Sequence, residues 1–160
     1  FNQWHIWQQL YGSSTYWFDT YTGTEYKKEN LLDLYICLDT AEGTLGTDQM
    51  KWLRKLLNEM KDKGYRHIIV FTHTHLFKQD NSQGHTSNLS MEETYELTHL
   101  LTDAGVSCYL CGHDHSREVT GYGNVRYITV DSSTDAEPYP FYMVMEVGEN
   151  MTYEFFRLFD

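Results

Sequence analysis

Four of the eight histidines form two closely spaced pairs, His73-Thr-His75 and His113-Asp-His115. Each pair directly follows an apolar segment with the composition of a buried strand, and ligands bind at the carboxyl ends of such strands in α/β sheets. In an extended chain, residues two apart point to the same side, so each pair can direct two imidazoles at one point. Imidazole is a good ligand for Zn, Fe, Ni and Cu. The spacing therefore predicts a metal site.

The surrounding sequence predicts the elements that position these histidines. Nearly continuous apolar segments predict buried strands at Leu31–Leu38, His67–Thr72 and Val106–Cys111. Apolar residues at helical spacing predict one helix capped by Thr47 and another that starts at the capping box Ser90-Met-Glu-Glu. Strands and helices alternate here, so this part of the chain is predicted to be α/β.

After Gly112 the pattern changes to short strands separated by turn residues. Strands are predicted at Arg117–Thr120, Val125–Val130, Phe141–Val147 and Tyr153–Leu158. The first thirty residues are aromatic and polar, and short strands are predicted there at about 16–20 and 25–28. We expect a single domain over residues 1–160 that ends in a β-meander.

The composition restricts the possible partners and redox chemistry. The net charge is −11, whereas nucleic-acid binding needs clustered basic residues, so no nucleic-acid partner is expected. No segment has the ~20 apolar residues of a membrane-spanning helix, and nothing indicates a localisation. Three cysteines fit poorly with a disulfide framework. Cys108 and Cys111 are three apart in a predicted strand, which favours buried thiols on opposite faces over a metal or redox pair.

Several motifs together resemble those of the calcineurin-like metallophosphoesterases, which include the purple acid phosphatases. The Gly-His-x-His element of that family corresponds to Gly112–His115, and the upstream strand ending in Ser/Thr-His corresponds to Val70–His73. Many members also carry three elements between their third and fourth metal motifs. These correspond to Tyr11–Phe18 (aromatic-Gly-x-x-x-Tyr-x-Phe), Leu38–Thr40 (Leu-Asp-Thr) and Gln49–Leu53 (Gln-x-x-Trp-Leu). The order and spacing agree over about residues 8–131.

The resemblance implies a fold and a reaction. The family fold is a four-layer α/β/β/α sandwich in which two mixed sheets pack together between helices, and this chain would be its C-terminal portion. The family hydrolyses phosphomonoesters or phosphodiesters, with a metal-activated water attacking phosphorus. We therefore expect the intact protein to be a metallophosphoesterase that acts on a phosphoester and uses two divalent metal ions, Mn, Fe or Zn.

The resemblance also implies roles for individual histidines. His73 and His113 would bind the second metal of the dinuclear site, and His115 would bind the first. His75 stands where the family usually has Pro. A substrate or accessory metal contact is as open for it as a solvated or hydrogen-bonding role. Four histidines match no motif and are expected to be structural or surface residues: His5, His67, His85 and His99.

Three other motifs of the family are absent from the sequence: Asp-x-His, Gly-Asp-x-x-Asp and Gly-Asn-His-Asp/Glu. The chain begins about where the third would end, so the catalytic residues stay unknown. Without a carboxylate that bridges two dications, three neutral imidazoles should hold at most one metal ion, and weakly. Without the opposing sheet, the chain should associate as a homo-oligomer or with the missing N-terminal piece.

Two alternatives stay open at this point. In the first, the chain is a truncated or degenerate phosphoesterase-like module that acts in binding or oligomeric assembly, without catalysis. In the second, it is an unrelated mononuclear zinc protein that uses His73, His113 and His115, although this leaves the match from Leu-Asp-Thr to Trp-Leu unexplained. The upstream sequence separates an enzyme from the first alternative, because an enzyme needs the three absent motifs.

Overall fold

The computed structural model describes residues 3–24, 27–77, 89–132 and 140–158. The described elements are α1 (Gln3–Tyr11), β1 (Tyr16–Thr24), β2 (Lys27–Cys37), α2 (Gly46–Met60), β3 (His67–Phe71), α3 (Met91–Asp103), β4 (Cys108–Cys111), β5 (Glu118–Tyr122), β6 (Val125–Thr129), β7 (Phe141–Val147) and β8 (Met151–Arg157). His85 and part of the strand predicted at 25–28 lie outside the described residues. Within those residues, no helix is long and apolar enough to cross a membrane.

Six strands form one mixed sheet in the order β1-β2-β3-β4-β6-β5. The four central strands β2, β3, β4 and β6 are parallel, whereas β1 and β5 pair antiparallel at the two edges. The helices provide the long connections that parallel strands need, since α2 joins β2 to β3 and α3 joins β3 to β4. The predicted α/β class with a mixed sheet is confirmed.

Helices α2 and α3 cover one face of this sheet. Leu53 and Leu57 of α2, together with Leu97 and Leu101 of α3, are buried in one core with strand residues such as Leu34. The stripe of leucines at helical spacing is therefore the packing face that the sequence indicates.

The hairpin formed by β7 and β8 covers the opposite face. Ile69, Cys108 and Ile128 of the large sheet point to this side and are buried against it. The hairpin contributes alternate residues to this contact: Met143, Met145, Val147, Met151, Tyr153 and Phe155. The order of helices, large sheet and second sheet corresponds to consecutive layers of the predicted sandwich.

Polar contacts attach the turn of this hairpin to the large sheet. Arg66 Nη2 donates to the carbonyl of Val147 (3.2 Å), while Arg66 Nε donates to the buried carboxylate of Asp33 (3.0 Å). His67 Nε2 lies 3.0 Å from the carbonyl oxygen of Gly148, so His67 has the structural role expected of it. The predicted β-meander is wrong, because the last four strands form two antiparallel pairs in two different sheets.

The three cysteines are free thiols. Cys108 belongs to the core under the hairpin, and Cys111 belongs to the core under the helices, which confirms their predicted placement on opposite faces. Burial raises the pKa of the Cys108 thiol to about 12 and that of Cys111 to about 11. Burial therefore favours the protonated thiols near neutral pH, and their placement on opposite faces of the sheet agrees with two separate buried thiols.

The N-terminus of α2 is capped from another helix. The sequence predicts Thr47 as the cap, but α2 starts one residue earlier and Leu45 before it makes no side-chain cap. Glu93 of α3 replaces it: its Oε1 accepts hydrogen bonds from the backbone N–H groups of Leu45 (3.2 Å) and Gly46 (3.0 Å). The prediction for Thr47 is wrong because the helix begins at Gly46, which places Thr47 inside its first turn; the Gly46 N–H is bound by Glu93 and also by the Thr44 hydroxyl at 3.0 Å.

The starts of the other two helices differ from expectation in part. Ser90 caps α3 as predicted, with its Oγ accepting from the Glu93 N–H at 3.1 Å. The reciprocal side-chain bond of a capping box is replaced by the contact with α2. At the N-terminus, the chain forms α1 where sequence analysis identifies no helix. In the sequence Trp4, Trp7 and Tyr11 recur at helical spacing, a signal that the high aromatic content obscures.

Glu93→Ala should destabilise the protein by about 1 kcal/mol more than Glu92→Ala, because only Glu93 caps a second helix. Both carboxylates lie in the first turn of α3, so the effect on that helix cancels in the comparison. Urea unfolding followed by circular dichroism measures the difference. Equal losses of stability in the two variants would show that the contact with α2 contributes nothing measurable.

Candidate metal centre

The site lies at the carboxyl ends of the adjacent parallel strands β3 and β4. The hydrogen-bond ladder of this pair continues beyond both strands: the Thr72 N–H donates to the Leu110 carbonyl, and the Gly112 N–H donates to the His73 carbonyl, each at 3.0 Å. Residues 40 apart in sequence are thus held side by side at one sheet edge. Backbone pairing alone therefore determines the positions of His73 and His113, independently of any contact between their side chains.

The rings of His73 and His113 are in direct contact. His73 Nε2 lies 3.1 Å from His113 Nδ1, and the ring centroids are 5.0 Å apart at an interplanar angle of 81°. His115 lines the same open cavity, which has a volume of about 460 Å³. Two of the three predicted ligands therefore touch, and the third faces the space in front of them.

The contact between His73 and His113 is compatible with one metal ion. Two nitrogens that are each about 2.05 Å from one tetrahedral zinc lie about 3.4 Å apart, close to the observed separation of the two ring nitrogens. Among the described residues, however, no group of three or more His, Cys, Asp or Glu side chains is arranged to hold a metal. The separation of the two ring nitrogens is therefore the one feature of the described residues that agrees with a shared ion.

The backbone of the Gly-His-Asp-His loop is strained. His113 and His115 have φ angles of 73° and 47°, a left-handed region that non-glycine residues adopt rarely and at a cost of roughly 1–3 kcal/mol each. The second pair is therefore not extended, so the argument that it directs both rings by extended geometry is wrong. Gly112 has a φ that any residue can adopt, and a Cβ there would meet only ordinary contacts of 3.8 and 3.9 Å.

His75 lies away from the cavity that His73 faces. Its side chain is buried, with Nδ1 at 3.4 Å from Asp114 Oδ2 and Nε2 at 3.8 Å from Glu118 Oε2. The ring also packs edge-on against Phe77 at 6.0 Å. The first pair thus places one ring at the surface and the other in the interior, and the position of His75 gives no support to a substrate contact.

A buried network of threonines holds the backbone on both sides of His73. Thr72 Oγ1 lies 2.7 Å from Thr40 Oγ1, which also accepts from the Thr74 N–H at 3.0 Å. Thr74 Oγ1 in turn donates to the Thr40 carbonyl at 3.2 Å. This gives the Leu-Asp-Thr motif a physical function, because its threonine ties the end of β2 to the segment that presents His73.

Gln49 fixes the same strand end to helix α2. Its Oε1 accepts from the Asp39 N–H (2.7 Å) and from the Thr15 hydroxyl (2.9 Å), and its Nε2 donates to the carbonyls of Asp39 (2.7 Å) and Leu45 (3.2 Å). The side-chain amide therefore uses both its donor and its acceptor in full. The Gln-x-x-Trp-Leu motif is explained as the partner of Leu-Asp-Thr.

Asp131 lies at a predicted strand end and matches no metal motif, so its sequence predicts a turn or cap residue, yet it lines the cavity. Its carboxylate is already engaged, since Oδ2 lies 3.5 Å from Arg117 Nε and Oδ1 accepts from the Ser132 N–H at 2.8 Å. Asp131 stands two residues beyond the end of β6, a strand that ends at the same sheet edge as β3 and β4.

The chain resembles several solved structures. GAP50, described as the anchor in the inner membrane complex of Plasmodium, superposes with a TM-score of 0.55 at 24% identity over 72% of this chain and 36% of that chain. PhoD gives 0.49 at 11% identity over 72% of this chain and 28% of that chain. Vps29 from Entamoeba histolytica, complexed with Zn²⁺, gives 0.35 at 18% identity over 72% and 71%. No protein-family profile and no curated protein matches the sequence.

The likeness to GAP50 supports the fold alone, an α/β arrangement built on a mixed sheet. This agrees with the α/β layers and with the resemblance carried by the sequence motifs. The chain spans about a third of the GAP50 chain, 36%, so it corresponds to part of that structure. The activity, substrate and partners of the whole protein do not follow from the fold.

Thr40→Val should lower the free energy of unfolding by about 1–3 kcal/mol, because it leaves the buried Thr74 N–H and the Thr72 hydroxyl without their partner. Thr47→Val makes the same chemical change at an exposed position and should stay within about 0.5 kcal/mol of the wild type. Chemical unfolding of the three proteins provides the comparison. If both valine variants match the wild type, the network does not support the His73 segment.

Proposed function

We propose that the intact protein is a metal-dependent phosphoester hydrolase, a phosphatase or phosphodiesterase, and that this chain contributes the histidine side of its metal centre. The observation that supports this most directly is the contact of His73 with His113 at 3.1 Å, at the ends of two parallel strands and beside His115. The resemblance of the sequence motifs to the metallophosphoesterases supports a metal site at this sheet edge.

In this proposal His73 and His113 bind one divalent ion, Mn, Fe or Zn, and His115 contributes to the ion that is shared with carboxylates outside this chain. When bound, a divalent ion would supply positive charge for phosphoryl oxygens and would lower the pKa of a bound water to near neutrality. The protein's part is to hold the imidazoles at fixed positions through the threonine network and the β3–β4 ladder. Arg117 keeps Asp131 occupied at the cavity wall.

The charge of the chain supports a metal as the anion-binding group. The net charge is −11, and no Lys or Arg is among the described residues that line the cavity. A phosphoester dianion would therefore meet a repulsive field unless a cation neutralises it locally. A divalent ion bound by two or three of these imidazoles would provide such a cation.

Cobalt titration tests the metal half of the proposal. The wild-type chain should bind about one Co²⁺ with an absorption change in the visible region, while His73→Ala and His113→Ala should each weaken binding at least tenfold because each removes a ligand. His99→Ala on α3 is the matched control and should bind like the wild type. Binding that is equally weak in all three variants, or absent in the wild type, would contradict the proposed site.

The chain is also proposed to need a further polypeptide segment, either a missing N-terminal piece or a second copy. On the outer face of the β7–β8 hairpin, Tyr142, Val144 and Phe156 are 44%, 46% and 37% exposed, and Tyr142 stacks on Phe156 at 5.6 Å. In this proposal the further layer of the sandwich packs against the second sheet, and these exposed side chains offer it an apolar surface.

Phosphatase assays with and without the upstream segment test this requirement. The chain alone should hydrolyse a chromogenic phosphomonoester or diester negligibly with added Mn²⁺ or Zn²⁺, and light scattering should show self-association. With the segment carrying the three absent motifs, it should become a 1:1 complex with turnover approaching an enzyme's typical ~10 per second. A metal-loaded complex without turnover would favour the non-catalytic module, and full activity of the chain alone would contradict the requirement.

A further inference from the structure

His75 has an environment that its packing alone does not explain. It is 3% exposed, and its Nδ1 is buried without a hydrogen-bond partner. Glu118 Oε2, 3.8 Å from the other ring nitrogen, is also buried without a partner. Two buried polar atoms without hydrogen-bond partners around one side chain are uncommon in native proteins, because each unmet hydrogen bond destabilises the fold.

The two carboxylates lie on opposite sides of the ring. Asp114 Oδ2 is 3.4 Å from Nδ1, on the loop between β4 and β5, and Glu118 begins β5. Phe77 packs edge-on against His75 at 6.0 Å and also against Tyr127 at 4.9 Å, which limits how far the imidazole can tilt. His75 thus joins the segment after β3 to two points of the neighbouring loop and strand.

The contact with Asp114 falls at the most strained part of the site. Asp114 stands between His113 and His115, both of which have positive φ angles. Its backbone N–H donates to the Gly112 carbonyl at 3.0 Å, which tightens the turn but does not fix the side chain. A strained conformation persists only where surrounding contacts determine it, and His75 contacts the side chain at the centre of this one.

We propose that His75 is a positioning residue that acts through Asp114 to hold the Gly-His-Asp-His loop, and thereby His113 and His115, in the conformation that presents their rings to the cavity. The inference builds on the proposed function, because it concerns the same metal ligands. The loop conformation itself can nevertheless be measured without any metal. Each ring nitrogen faces a different carboxylate, Asp114 at Nδ1 and Glu118 at Nε2, so the two halves of the imidazole should have separable effects.

Hydrogen exchange of the metal-free chain tests the loop directly. In His75→Leu, amides of residues 112–118 should exchange at least tenfold faster, while amides of α2 and α3 keep their wild-type rates. In His75→Asn the amide nitrogen can occupy the place of Nδ1 and should restore most of the protection, whereas in His75→Gln it reaches towards Glu118 and should not. A residue that only fills space would give the three variants similar rates, or faster exchange throughout the chain, and either result would overturn the proposal.

Asp114→Ala approaches the same contact from the loop side and remains usable if substitutions at His75 prevent folding. It should accelerate exchange of residues 112–118 as much as His75→Leu does, and the double variant should show no further acceleration. Additive effects of the two substitutions would overturn the proposal.

The affinity for Co²⁺ links the loop to the metal centre. His75→Leu and Asp114→Ala should each weaken Co²⁺ binding about tenfold, with His75→Asn close to the wild type. If the wild type binds no Co²⁺, the proposed metal site fails, and loop exchange alone then decides the role of His75. Unchanged Co²⁺ affinity in His75→Leu, in a wild type that binds, would overturn the role of His75 while leaving the metal site intact.

Discussion

The parallel pairing of β3 with β4 is the constraint on which the site depends. Its hydrogen bonds run past the ends of both strands and reach His73 and Gly112, so backbone geometry brings two distant histidines together. The threonine network and Gln49 then attach the end of β2 to the same edge. Side-chain chemistry is added to a position that the sheet has already determined, which explains why ring nitrogens from separate loops meet at 3.1 Å.

Much of this arrangement could be predicted from the sequence because it follows from repeating local patterns. Continuous apolar segments identified β2, β3 and β4, the leucine stripe identified α2, and strand alternation placed Cys108 and Cys111 on opposite faces. The contact of His73 with His113 followed from one further rule, that parallel neighbours end at the same edge. In each case a few adjacent residues contain all the information that the rule needs.

The features that escaped prediction involve partners that are distant in sequence. Glu93 caps a helix that begins 47 positions earlier along the chain, and nothing local to either segment indicates it. His75 lies in the interior beside carboxylates that are 39 and 43 residues further along the chain. His113 and His115 have left-handed backbone conformations, so the rule for extended chains does not apply to them. Tertiary contacts determine this cap, this side-chain position and these backbone conformations, and they override local preference.

The placement of the two buried cysteines has a consequence for observing how the layers separate. Cys108 is enclosed beneath the hairpin and Cys111 beneath the helices, and burial keeps both thiols protonated. Each can react with an alkylating reagent only when its own side of the sheet opens. The alkylation rate of Cys108 therefore reports the opening of the hairpin, and that of Cys111 reports the opening of the helical layer. Mass spectrometry of the two labelled peptides would measure the two rates independently.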